Sequence, residues 1–173
     1  MVDAVDTVLS SDERRRQVDR FAFLSRSVRM CMEYTEVIHA HGHEHVQATH
    51  SSTFEVTSDD WLTPAGDCIV AIEADRTPAD FAAEFVEAAQ SHDAEITATL
   101  STGDHTQTIT GRGHPDLAFE DDRSAVGRTS DYTCGRTIMV DASGAADSVD
   151  RELVDALAAG ADLTFELRVS VDE

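Results

Sequence analysis

From Glu33 the chain alternates with a period of two. Tyr34, Glu36, Ile38 and Ala40 fall on one face and Thr35, Val37, His39 and His41 on the other, which predicts a strand ending at Gly42. Val46 to His50 and Thr53 to Thr57 continue the pattern, Asp59 to Gly66 reads as a turn-rich loop, and Asp67 to Ala74 as a buried strand. Thr77-Pro78-Ala79-Asp80 has the composition of a helix start, so a helix is expected from there to about Gln90, with Phe81, Phe85, Val86 and Ala89 inward. Glu95 to Ser101 and His105 to Thr110 form a hairpin across Thr102-Gly103-Asp104. Strand-like pieces follow at Leu117 to Phe119, Arg123 to Thr129 and Tyr132 to Val140. A second helix fits Ser148 to Ala159, ended by Gly160. Leu163, Phe165, Leu167, Val169 and Val171 then alternate with polar residues in a half-buried strand. No internal repeat is legible. Nine or ten strands against two short helices predict a mainly β fold, a β-sandwich or barrel with the helices packed on it.

The first 32 residues stand apart. Six of the 13 arginines lie there (Arg14, Arg15, Arg16, Arg20, Arg26 and Arg29) against five acids, so a boundary is expected, with residues 1–32 an extension and 33–173 a single β-sandwich domain. Ser10-Ser11-Asp12-Glu13 can cap a short helix from Asp12 to Leu24, and Met30 or Met32 is an alternative start.

Charge narrows the setting. There are 34 acidic residues, every basic residue is Arg, and the net charge is −21. This is the composition of a halophilic protein. In molar salt the Debye length is about 3 Å, and dense carboxylates keep a surface hydrated. Diffuse attraction to nucleic acid is excluded there, because affinity built on counterion release falls steeply with salt. The longest apolar run, Cys68 to Ile72, is too short to cross a membrane, and three cysteines without a Cys-x-x-Cys pair argue against a disulfide framework. A cytoplasmic location is expected, and an oligomer is compatible with the sequence.

Two constellations carry chemistry. His41, His43 and His50 have imidazoles at a spacing that could hold a transition metal, although a glycine interrupts the alternation and Gln47 stands where a jelly-roll metal site has a carboxylate. Arg112, His114, Arg123, Arg128 and Arg136, interleaved with Ser124, Thr129, Ser130 and Asp131, could clamp a phosphate or carboxylate. In that reading Arg112, Arg128, Ser130 and Arg136 bind the ligand, while His43, His50 and Asp131 supply acid and base. The same residues could instead form structural ion pairs, Arg128 with Asp131 and Arg123 with Asp121 or Asp122. Cys68, at the start of an apolar strand, reads as a core thiol.

Gly42-His43-Glu44, His50, Thr53-Phe54-Glu55-Val56-Thr57, Leu62-Thr63-Pro64-Ala65-Gly66-Asp67-Cys68-Ile69, Arg128-Thr129-Ser130-Asp131 and Arg136-Thr137 together resemble an archaeal family, domain of unknown function 371, over about Glu33 to Ala159. The resemblance implies a β-sandwich of jelly-roll type and a pattern centred on His43 and His50. His39, His41 and His45 have no counterpart in it. The functions to be weighed are therefore binding of a small phosphate-bearing molecule or RNA end, a metal-dependent enzyme using the histidines, and a structural or assembly module. The sequence names no cofactor.

Overall fold

Alternation builds the first sheet. In the computed structural model, which describes residues 29–173, β1 (Cys31–His41), β4 (Glu95–Thr102), β5 (His105–Arg112) and β8 (Asp162–Asp172) pair antiparallel in the order β1-β8-β4-β5. Leu163, Phe165, Leu167 and Val169 of β8, with Ile96, Ala98 and Leu100 of β4, turn one face wholly inward. The second sheet has the order β3-β2-β6-β7, from β2 (Thr53–Thr57), β3 (Ile69–Ala71), β6 (Ser124–Arg128) and β7 (Thr137–Met139). Its central β2-β6 pair is antiparallel and both flanking pairs are parallel. Phe54 meets Phe165 between the sheets at a ring separation of 6.3 Å. The helix expected at Asp12 to Leu24 lies outside the described residues.

Among the described residues the fold is mainly β, with two sheets and two short α-helices, α1 (Ala83–Ala89) and α2 (Arg151–Ala158). A jelly roll is made of antiparallel Greek keys, whereas each outer pair of the second sheet runs parallel. Paired backbone bonds stitch the sheets at both edges, His41 with Ile72 and Arg112 with Val140. These bridges shield backbone groups that edge strands would otherwise expose.

Several local expectations change. Val46 to His50 and Leu117 to Phe119 are loops, because Ala48 (φ 48°) and Phe119 (φ 49°) leave the extended region. Of Tyr132 to Val140 only Thr137–Met139 is strand. Thr77 and Asp80 do close a turn, with the Thr77 amide donating to Asp80 Oδ2 at 2.9 Å, but it is a 3-10 turn at Pro78–Asp80. Phe81 and Ala82 then extend before α1 begins. Phe81 and Phe85 pack with each other at a ring separation of 5.4 Å and each with Phe119 at 5.9 Å. The end of α2 follows expectation: Gly160 (φ 90°) donates to Leu157 O and Ala161 to Ala156 O, the bonds that satisfy a helix C-terminus.

The structure overturns the absence of a repeat. β1-β2-β3-α1-β4 and β5-β6-β7-α2-β8 are two copies of one unit, and exchanging them leaves both sheet orders unchanged. The detail matches at bond level. Gly42 N donates to Ala161 O as Gly113 N does to Ala94 O, and the positive φ of Ala48 and Glu73 recurs at Phe119 and Asp141. The amide of His39 donates to the Asp75 side chain, and that of Thr110 to the Ser143 side chain. Glu55 lies opposite Val126, its own equivalent, and Thr99 lies opposite Glu166, so the pseudo-twofold axis passes through these two pairs.

One buried ion pair anchors α1 to β1. Glu36, 5% exposed, holds Arg76 Nη1 at 2.6 Å and accepts from the Ala82 amide at 2.6 Å. Replacing Arg76 by Ala leaves that carboxylate uncompensated and should destabilise the fold by about 3–5 kcal/mol in denaturant unfolding. Thr102 Oγ1 is buried without a partner, and the equivalent residue in the other half is the buried Val169. Thr102→Val should therefore stabilise by about 1 kcal/mol, read from the same melts; a loss would contradict the equivalence of the halves.

Candidate functional site on the second sheet

Because Phe54 and Val56 point into the core, Thr53, Glu55 and Thr57 must point outward from β2. Cross-strand register then sets Ile69, Glu55, Val126 and Thr137 in one row across the outer face, and Thr53 opposite Arg128 in the next. The loops after β2 and β6 rise beside this face. They carry Trp61 and Tyr132, equivalent positions in the two halves and both well exposed.

Arg128 is half-buried at the end of β6. Its Nε donates to Thr137 Oγ1 (2.9 Å), its Nη2 to Cys134 Sγ (3.4 Å), and its guanidinium lies 4.9 Å from the centre of the Tyr132 ring. Among the described residues no carboxylate lies within ion-pair distance of it, so the Arg128–Asp131 pair considered from sequence is not formed. Asp131 is exposed. So is Ser130, whose hydroxyl accepts from the Tyr132 amide. Cys134 feels the arrangement. Burial alone would raise its pKa, but the Thr137 hydroxyl, the Arg136 amide and the Arg128 guanidinium outweigh it and bring the thiol down to about 7.

His50 stands next to this group. Its Nδ1 accepts from the amides of Ser52 (3.3 Å) and Thr53 (3.1 Å), which leaves the proton on Nε2. In the other half Asp121 does the same work for Arg123 and Ser124, so an imidazole has replaced a carboxylate in a shared turn. Thr53 joins the two groups, bonding His50 and facing Arg128 across the strands.

Farther toward the axis is a cleft of about 250 Å³ containing Glu55, Asp59, Trp61, Ile69, Arg123 and Arg136. Arg123 grips Asp59 through Nε (2.9 Å) and Nη2 (2.8 Å), and this bond holds the Asp59 carboxyl below its ordinary pKa. The pairing of Arg123 with Asp121 or Asp122 expected from the sequence is not formed: Asp121 accepts the backbone amides of Arg123 and Ser124, not the guanidinium. Glu55 is 9% exposed, and its side chain accepts a single hydrogen bond, from Cys68 Sγ at 3.4 Å. Burial and the Glu55 charge push that thiol up to about 11, consistent with an inert core cysteine.

The other candidates lie apart. Arg112 is exposed and donates to His92 O, beside a separate cleft with Asp93 and Asp141. His41 pairs with Asp162. His43 Nδ1 accepts from the His45 amide at 3.0 Å, and its equivalent His114 accepts from Asp116 at the same distance. No hydrogen bond or ion pair among the described residues joins His41, His43 and His50, and no group of three ligand-type residues there has the geometry to hold a metal. Glu55, though part of the motif quoted above, has no role assigned from the sequence, and neither has Trp61. The signal available for them was a glutamate at an alternating strand position and the chain's one tryptophan in a turn-rich loop.

All three cysteines are free, and no helix among the described residues is long and apolar enough to cross a membrane. The family model described as domain of unknown function (DUF371) matches residues 38–170. An uncharacterized protein of the archaeon Methanocaldococcus jannaschii is 39% identical over 133 residues, covering 77% of this chain and 98% of that protein. Since the match runs from β1 to β8 and takes in both halves with the outer face they share, the chain belongs to the domain of unknown function 371 family.

Proposed function

We propose that this protein binds a small phosphate-bearing ligand, a nucleotide or an RNA end, on the outer face of the second sheet. Arg128 and Arg136 are the anion contacts. The carrying observation is Arg128: in a chain of net charge −21 its guanidinium has no carboxylate partner among the described residues, and it rests on a hydroxyl, a thiol and an exposed aromatic ring. An arginine held in place but left unneutralised is prepared for an anion. Cys134 supports this reading, since the donors that lower its thiol, the Thr137 hydroxyl, the Arg136 amide and the Arg128 guanidinium, all converge on one point of this face.

His50, with its proton on Nε2, is the candidate hydrogen-bond donor to the ligand, and Ser130 and Asp131 border the site on the loop after β6. Arg112 contributes nothing to this face. A directed guanidinium contact survives salt that would screen a diffuse field. It therefore suits the cytoplasm of a halophile, the setting to which the arginine-only, acid-rich composition points.

Binding of inorganic phosphate and nucleotides should be measured calorimetrically in molar KCl. Arg128→Met should abolish binding and leave the melting temperature equal or higher, because a preorganised charge costs stability in the empty protein. A wild type that binds none of them, together with an Arg128→Met variant that melts several degrees lower, would assign Arg128 a structural role.

The thiol provides a second check. Alkylation of Cys134, followed by peptide mapping, should rise with pH around a midpoint of about 7, and bound phosphate should slow it. Arg128→Met should move that midpoint upward. The folded pKa is depressed, so the stability this thiol contributes is full above its unfolded pKa and is lost as pH falls through about 7. Cys134→Ser should flatten that part of the stability profile.

A further inference from the structure

Glu55 is the unexplained charge on this face. It sits on the pseudo-twofold axis opposite Val126, is nine-tenths buried, and receives one weak bond from a thiol. No cation lies within ion-pair distance of it among the described residues. A buried carboxylate is costly until donors satisfy its oxygens. Its equivalent in the other half is the apolar Val126, so the strand position does not demand a charge.

The cleft specifies which donors would fit. Asp59 and Arg123 neutralise each other, and Asp121, also on the cleft, accepts the amides of Arg123 and Ser124 through Oδ1; Glu55 and Arg136 are left without an ion pair or a backbone amide to satisfy them among the described residues. A cationic ligand would be repelled by Arg136, and a purely anionic one by Glu55. Both groups are satisfied by a molecule with neutral N–H donors at one end and an anion at the other. Trp61, 56% exposed on the same cleft, adds a flat surface suited to an aromatic ring.

We propose that this cleft recognises the base of a guanine nucleotide: Glu55 accepts from the adjacent N1–H and N2–H of guanine, Trp61 stacks on the ring, and Arg136 faces the phosphate end. The assignment rests on the phosphate-binding reading above and names the ligand class for the same face. Guanine offers two neighbouring donors that match the two oxygens of a carboxylate. Adenine sets an acceptor beside its single amino group, which a carboxylate repels, and hypoxanthine keeps only one of the two donors.

Trp61 is the chain's sole tryptophan, so its fluorescence reports the cleft without labelling. The full-length protein should be titrated in molar KCl with GMP, IMP and AMP, with inorganic phosphate as competitor. Saturable quenching is expected, with GMP binding at least ~10-fold more tightly than AMP and IMP falling between, the scale expected for hydrogen bonds to a charged group. Glu55→Gln should reduce GMP to the affinity of AMP, and a matched melting temperature would show that its fold is intact. The GMP-to-AMP ratio of the unmodified protein decides the matter even if that variant unfolds. Equal affinities for GMP and AMP, both lost in Arg128→Met, would overturn the guanine assignment and leave the phosphate site standing. No response to any nucleotide or to phosphate would overturn both.

Discussion

Gly42 and Gly113 run so close beneath the helix of the opposite half that a Cβ on either would collide with a backbone carbonyl, of Leu157 in one case and Ala89 in the other. Only glycine permits that approach. The rest of the architecture depends on it: each β1-type strand leaves its sheet, bridges to the other sheet, and passes under a helix belonging to its counterpart. The two units are therefore interlocked. The core formed between them draws on both copies of every element, as Phe54 against Phe165 illustrates.

Interlocking also explains why pseudo-equivalent residues can be compared as pairs. Where both halves need the same bond they retain it with similar chemistry, as His43 and His114 do in accepting from the amide two residues on. Such residues hold turns. Elsewhere the halves differ in charge and polarity. Glu55 against Val126, Arg128 against Thr57 and His50 against Asp121 all fall on or beside the outer face of the second sheet. A symmetric frame thus carries an asymmetric face, with a guanidinium lacking a carboxylate partner on one side of the axis and a buried carboxylate on it.

Much of the fold was legible in the sequence because alternation is a local signal. The eight strands, the Gly103 hairpin and the Gly160 helix end follow from patterns a few residues long. The loops at Val46 to His50 and Leu117 to Phe119 were not, since their apolar residues are buried by tertiary contact while a single positive φ breaks the strand. The repeat was hidden because few residues are shared, and because the loop from Arg128 to Thr137 is shorter than that from Thr57 to Ile69, so the spacing drifts. For the site, clustered arginines drew attention to Arg123 and Arg128 alike, and composition could not separate the one with a carboxylate partner, Arg123, from the one without. The burial of Glu55 was not legible: nothing in a strand sequence shows that an outward carboxylate will be covered.

The register of β1 against β8 has a consequence for how the chain reaches this state. Cys31 pairs with Asp172 and His41 with Asp162, so the first strand of the unit finds its neighbour only in the last. On a ribosome, that strand waits until nearly the whole chain has emerged. Pairings between distant parts of a chain also slow folding, because the loop must close before the contacts form. During that interval β1 and β4 have no β8 between them, and the alternating apolar face of each is open to solvent. The hydration held by the dense carboxylates around them would limit sticking between newly made chains until the last strand arrives.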